Sequence, residues 1–298
     1  MAVASSNFAE LLWPGIKHIW GQKYKDFEPL YPRIFTKKKA TLAFEKEQGV
    51  TGLGLASVKD QGKALPYEDP FQGYQKEYVM VTYAIGSSIT REMSEDDQYN
   101  YINSIPAMLA KSMGQTEETI TFNHLNRGFN TLYTGADGLS LFNASHTNVG
   151  GGTYRNQLAT TSDLTQTTLE TMLQDLLLAT DDQGLVIRLM PKALVVHPAS
   201  NFRARKLLES DYVTGSADND KNGIPGLFAD LVVSPYLTDT DAWFVVAGGD
   251  DGLVFYTKRD AEIVRDNEFD TQNLKFATTK RFASGWTNPR LVWGTAGA

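Results

Sequence analysis

The sequence contains no cysteine. Disulfides, thiolate nucleophiles and cysteine-ligated zinc are thereby excluded. Histidine is scarce, and His18, His124, His146 and His197 stand far apart in the chain. Proline numbers 11 against 25 glycines and no heptad run is sustained, which excludes collagen-like and coiled-coil architectures. Long apolar runs are missing too. The richest, Ala242-Trp-Phe-Val-Val-Ala247, has the length of a strand and falls far short of the ~20 residues of a membrane helix. Met1 to Gly15 carry Glu10 and no basic start, so they do not read as a secretory signal. A soluble protein made inside the cell, with no membrane partner, is expected.

What is present supports a folded body. Of 298 residues, 42% are hydrophobic and 21% charged, enough to bury a real core and too apolar for wholesale disorder. The net charge of −7 argues against strong global attraction to nucleic acid. That charge is uneven. Residues 1–50 hold eight basic and five acidic side chains, a balance of +3 that leaves −10 for the rest. The same segment interleaves Trp13, Trp20, Tyr24, Phe27, Tyr31 and Phe35 with Pro14, Pro29 and Pro32. The prolines are expected to break any long helix. Six aromatics imply an arm that docks on its own body or on a neighbour.

Residues 50–73 are glycine-rich and read as a hairpin-like excursion, followed by one long strand from Tyr78 to Ile89. A helix capped by Ser94 is expected over 94–127, about 50 Å at ~1.5 Å per residue, bent at Pro106 and stopped near Gly128. Its apolar positions are Ile102, Ile105, Met108, Leu109, Met113, Ile120 and Leu125. Ser162 or Asp163 should cap a second helix to about Thr180, striped by Leu169, Met172, Leu173, Leu176 and Leu177 and closed by Gly184. Strands are expected at 185–189 and 193–197, a short helix at 199–208, and strands at 231–234, 243–247, 253–257, 261–264, 274–285 and 290–294. The class is α+β.

Chemistry-bearing patterns are few. Gly52-Leu-Gly54-Leu-Ala-Ser57 is half a dinucleotide fingerprint without its third glycine or its strand–helix frame. Asp218-Asn-Asp220-Lys-Asn222-Gly223 matches the first six positions of a calcium loop. Its twelfth position is Ala229 rather than Glu, Asp230 comes one residue late, and Pro225 interrupts it. Asp218, Asp220 and Asn222 are therefore only a weak metal pattern, and no catalytic set, cofactor or firm metal site is expected. Ser145-His146 lacks a third member, and His146 and His197 read as structural. An aromatic arm, an extended loop, one overlong helix and a mixed body suit a subunit that touches many copies of itself.

Several stretches, taken in order and spacing, resemble tailed-phage major capsid proteins. They are Leu139-Ser-Leu141-Phe-Asn143-Ala-Ser-His146, Leu189-Met-Pro191-Lys-Ala-Leu194-Val-Val-His-Pro198, Ala204-Arg-Lys-Leu-Leu208, Val233-Ser-Pro-Tyr-Leu-Thr-Asp239 and Ala242-Trp-Phe244. The resemblance is to the Mu-like major head subunit family with the Hong Kong 97 type capsid fold, and covers roughly residues 75–298. It implies a layout: an N-terminal arm (1–50), an extended E-loop (51–90), a peripheral domain with the spine helix (91–162), an axial domain (163–253), peripheral return strands (254–288) and a last axial strand (289–298). The implied function is a non-enzymatic shell protein, forming hexamers and pentamers of an icosahedral head around double-stranded DNA, in the virion and assembled in the host cytoplasm. Implied partners are many copies of itself, a separate scaffolding protein, portal and head-completion proteins, and non-specifically bound DNA. Some capsids of this fold are sealed by a Lys–Asn isopeptide bond, for which Lys59 or Lys63 with Asn288 would serve. The alternatives are an encapsulin-like compartment and, in a different class, a metal-dependent hydrolase using the Asp218–Asp230 loop.

Overall fold

The computed structural model describes residues 8–90, 92, 93, 96, 101–213, 220–268, 270 and 272–298, with side chains throughout except at 8–12 and 101–103. Among them the chain builds two four-stranded sheets, two short two-stranded ribbons and four helices longer than one turn. Helix α1 (Phe8–Asp26) opens the described chain. It runs through Pro14, contrary to the expected break. A single proline removes one N–H and one i→i−4 bond, and the helix is held from outside by the packing of Ile16 and Trp20.

The first sheet has the order β1-β10-β11-β4, formed by Thr36–Lys39, Leu253–Asn267, Leu274–Trp286 and Val81–Ile89. β1 runs parallel to β10, and the other pairs are antiparallel. The two strands expected at 253–257 and 261–264 are one strand of 15 residues. Its register shifts between Thr257 and Glu262, where Lys258-Arg259-Asp260 interrupt the apolar alternation. A bulge absorbs the charged interruption without ending the strand. The single strand expected over 78–89 is instead two: β3 (Gln72–Val79) and β4, separated at Met80. Met80 N–H donates to the carbonyl of Ala43, and the two strands enter different sheets.

The second sheet has the order β12-β9-β7-β8, formed by Val292–Thr295, Trp243–Ala247, Pro191–Val196 and Asp230–Val233. Every residue of β9 is buried, because both faces of the sheet are covered. Trp243, Val245 and Ala247 face a core shared with helices α3 (Gln166–Leu177) and α4 (Asn201–Glu209). Phe244 and Val246 face the core that joins this sheet to the first. The period-two alternation thus divides an unbroken apolar run between two cores.

Helix α2 (Tyr101–Asn126) lies across the first sheet, with Ile105, Leu109, Met113, Phe122 and Leu125 buried. The expected start at Ser94 falls outside the described residues. Pro106 lies within the helix as foreseen. Gly114 in its middle gives room to Phe27, whose ring would come within 2.6 Å of any Cβ there. α3 is capped by Thr165, not Ser162 or Asp163. Thr165 and Thr168 exchange side-chain and backbone bonds in a capping box. The helix ends at Leu177, which is exposed rather than part of the stripe, and Gly184 serves a later turn at φ 82°. The strand expected at 185–189 reduces to one bridge between Thr180 and Val186, since its side chains Val186 and Ile187 find no apolar cover.

Candidate functional site

Two features stand out once the cores are assigned: a projecting hairpin and a locked arm. β2 (Phe44–Val50) pairs antiparallel with β3, from Phe44 opposite Val79 to Val50 opposite Gln72. Beyond it, residues 51–71 make one excursion closed at its neck by Thr51, whose N–H donates to the Phe71 carbonyl at 3.0 Å. The Thr51 hydroxyl accepts from Phe71 N–H at 2.8 Å. The excursion carries Leu53, Leu55, Val58, Leu65, Tyr67 and Phe71 in solvent, with Val58 94% and Tyr67 87% exposed. So many apolar side chains on one projection mark a surface that associates.

The hairpin is rooted firmly. Glu47 on β2 accepts from Lys38 Nζ and from the hydroxyls of Tyr256 and Thr287. Burial alone would raise its carboxyl. The bonds from Lys38, Thr287 and Tyr256 outweigh that and hold it below the ordinary glutamate range. Tyr78 packs its ring at a tilt against Tyr256, with centroids 5.1 Å apart, and bonds Thr287. Beside this root lies a cleft of about 380 Å³ lined by Glu47, Tyr74, Asp137, Tyr154, Asp251 and Arg290 among others. Its charges answer one another. Arg290 donates to Asp182 at 2.8 Å and stacks over Tyr154 at 4.0 Å, Lys38 reaches Asp251 at 3.2 Å, and Asp137 bonds His146 at 2.6 Å. It works as a joint between hairpin and body.

The arm docks on its own chain. Ile16 and Trp20 of α1 enter a core with Ile105, Leu109 and Ala110 of α2 and with Ile263 and Phe276 of the first sheet. Behind them, Glu117 accepts from the hydroxyls of Tyr24 and Tyr31 and pairs with Lys280 at 2.8 Å. Burial, then the neighbouring Glu117 carboxylate, push both phenols well above the usual tyrosine range. Glu118 accepts the backbone N–H groups of Leu30 and Tyr31. Its carboxyl is raised because burial outweighs these two bonds. Sequence reasoning missed Glu117, Glu118 and Lys280. The signal was available, since Glu117 stands four residues after Met113 and so lies in the apolar stripe of α2.

The singled-out residues fall as follows. Asp218 lies outside the described residues. Asn222 is turned inward: its amide donates to the carbonyls of Leu207 and Ser210, and its oxygen accepts from Ile224 N–H. Asp230 accepts a two-pronged bond from Arg33. Among the described residues no group of three or more His, Cys, Asp or Glu side chains is placed to hold a metal ion. His146 is fully buried between Asp137 and the Leu141 carbonyl, and His197 caps the turn at Ala199 N–H. His124 meets Ser284, and burial together with Lys76 and Arg127 lowers its pKa to about 4. Lys63 pairs with Asp60, and Asn288 accepts from Arg290 N–H. No helix among the described residues is long and apolar enough to cross a membrane.

Comparison with known structures matches this architecture to capsids. A structure from Microbacterium phage Oxtober96 is similar over 91% of both chains, with a TM-score of 0.60 and 13% identity. The capsid of Ralstonia phage GP4 is similar over 89% of this chain and 87% of its own, with a TM-score of 0.59 and 14% identity. A virus-like particle from Pyrococcus furiosus is similar over 94% and 97%, with a TM-score of 0.55 and 12% identity. No curated protein matches the chain by sequence. The fold is therefore the one shared by these shells, the Hong Kong 97 type, in agreement with the α+β expectation. The profile of the phage capsid protein family matches residues 73–293, which takes in β4, β10 and β11 of the first sheet, β7, β8 and β9 of the second, and α2, α3 and α4, and the chain belongs to that family.

Proposed function

We propose that the protein is the major capsid subunit of a tailed phage, of the Mu-like kind. Copies assemble into hexamers and pentamers of an icosahedral head that encloses double-stranded DNA. The observation that carries the reading is the excursion 51–71, which holds its apolar side chains in solvent on a hairpin anchored through Glu47. A lone globule would fold such residues home. A subunit that covers them with a neighbour recovers roughly 25 cal/mol per Å² of apolar surface removed from water.

On this reading 51–90 is the E-loop, residues 91–162 and 254–288, with α2, β10 and β11, are the peripheral domain, and residues 163–253 and 289–298, with the second sheet, α3 and α4, are the axial domain. Residues 1–50 are the arm, of which α1, Leu30 and Tyr31 lie against the chain's own spine helix. The protein transforms no substrate and needs no cofactor. A separate scaffolding protein and the portal and head-completion proteins are its partners, in the virion after assembly in the host cytoplasm. The test is assembly of the purified chain, with and without a co-expressed scaffold, followed by light scattering and electron microscopy. Closed shells tens of nanometres across are expected. A monodisperse monomer under every such condition overturns the reading.

A further inference from the structure

A second cleft, about 600 Å³, opens where β3, β4 and β11 meet α2 and the loop that follows it. That volume suits a small organic molecule. Its cations are Lys76 of β3 and Arg127 of the loop, and neither Asp nor Glu is among the described residues that line it. Lys76 Nζ donates to the Thr134 carbonyl at 3.2 Å and lies 5.3 Å from the centre of the Trp286 ring. Arg127 lies 4.6 Å from the centre of the Tyr133 ring. Asp137 is the acid whose charge reaches Lys76, and it is bound to His146 at 2.6 Å. Asn123, on the wall from α2, accepts from Asn126 at 3.3 Å and so keeps its own amide N–H groups as donors. His124 beside it is neutral at pH 7, because burial and the two cations hold its pKa at about 4. The cleft therefore presents positive charge and donors that its own walls do not answer.

One side of the cleft is an apolar lip that the backbone sets in advance. Leu132 and Tyr133 are 84% and 42% exposed. Leu132 N–H donates to the Asn130 side-chain oxygen at 2.9 Å, and Tyr133 N–H donates to the Asn130 carbonyl at 3.1 Å. Gly135 N–H donates to the Leu139 carbonyl at 2.7 Å and closes the loop behind them. Tyr83 and Ile120 add further apolar wall. An apolar lip beside two cations fits a ligand of two parts, a flat ring and an anionic group. Phosphate matches the anionic part best. A phosphate monoester carries about two negative charges at pH 7, enough to answer both cations, whereas a carboxylate carries one. Its oxygens can accept from the arginine fork and from the lysine at once.

We propose that the Lys76–Arg127 cleft binds a nucleoside phosphate, with the phosphate on the two cations and the base against Leu132 and Tyr133. The site lies within one copy and stands whether or not the chain assembles. Such a phosphate ester has two sources, a free nucleotide or a nucleotide within a DNA strand. The test is isothermal titration calorimetry of the full chain with AMP, adenosine, inorganic phosphate and a short single-stranded oligodeoxynucleotide. AMP is expected to bind once per chain, roughly tenfold or more tighter than adenosine or inorganic phosphate. Arg127→Gln and Lys76→Gln, made singly, are each expected to weaken AMP by roughly tenfold or more. Arg127 is exposed, so its variant should melt within a few degrees of the wild type. It reports on binding even where Lys76→Gln, which loses the bond to Thr134, is less stable. In NMR titrations bound AMP should raise the pH at which the His124 ring titrates, since a nearby anion favours the imidazolium form. An oligonucleotide that binds more tightly than AMP and weakens in the same variants makes a strand the source, and AMP as the tighter ligand makes it a free nucleotide. Absence of one-to-one AMP binding, adenosine or inorganic phosphate as tight as AMP, or AMP binding untouched by Arg127→Gln overturns the site.

Discussion

Glu117 and Lys280 form a buried ion pair on which several interactions converge. Their side chains are 4% and 6% exposed, and the pair ties α1, α2 and β11 together through Tyr24 and Tyr31. Removing one member strands the other charge in the core, which costs about 3–5 kcal/mol. Glu117→Ala should therefore lower the unfolding free energy by that amount in urea titrations. Replacing both residues with apolar ones of similar size should cost much less. Asp137 offers a pH test. Burial would raise its carboxyl, but the bonds from His146 and Leu139 N–H prevail and hold it below the ordinary aspartate range. A depressed carboxyl contributes stability that is complete above its unfolded pKa of ~3.9 and is lost as pH falls through the lower folded value. Unfolding free energies measured from pH 6 down to pH 3 should drop more steeply for the wild type than for Asp137→Asn.

At the level of the element, α3 joins one face of the second sheet through Leu169, Met172, Leu173 and Leu176. Its start is set by Thr165, which accepts from Thr168 N–H, while Thr168 Oγ1 accepts from Thr165 N–H. Thr165→Ala leaves the Thr168 N–H without its acceptor and should cost about 1 kcal/mol, read as a lower thermal midpoint with the native fold retained. The helix was legible in the sequence because its stripe has period 3.6, while its cap was not, because Ser162, Asp163 and Thr165 all have capping chemistry. Only the path of the chain decides which of them faces the first turn. β3 and β4 make the same point. The β-branched and aromatic run 78–89 reads as one strand, yet the bond from Met80 N–H to Ala43 and the two different partner strands divide it.

For the whole molecule the decisive contrast lies between the arm and the excursion. α1 is part of its own chain's core, so deleting residues 1–35 would expose Ile105, Leu109 and Phe276 and test folding as much as assembly. The excursion carries no core residue beyond its Thr51 neck. Replacing residues 53–69 with a short Gly-Ser turn should therefore leave the melting temperature of the free subunit unchanged within about 2 °C. The same change should abolish shells in electron micrographs. A trimmed chain that still builds closed shells would remove the excursion from the assembly surface.

Taken alone, the sequence determined the class of the protein, its two amphipathic helices, the wholly apolar strand 243–247 and the exposure of the glycine-rich excursion. Each depends on local periodicity or on the backbone freedom of glycine, which are properties of neighbouring residues. It also carried the order of motifs that marks the capsid family. The tertiary structure decided which charges are buried, that α1 lies on α2, and that Lys76 and Arg127 share a cleft with Tyr83 and Trp286. Those outcomes depend on pairs such as Glu117 with Lys280, far apart in the chain. Only long-range packing decides whether such a pair meets, because the free energy of a buried charge is set by what the fold places beside it.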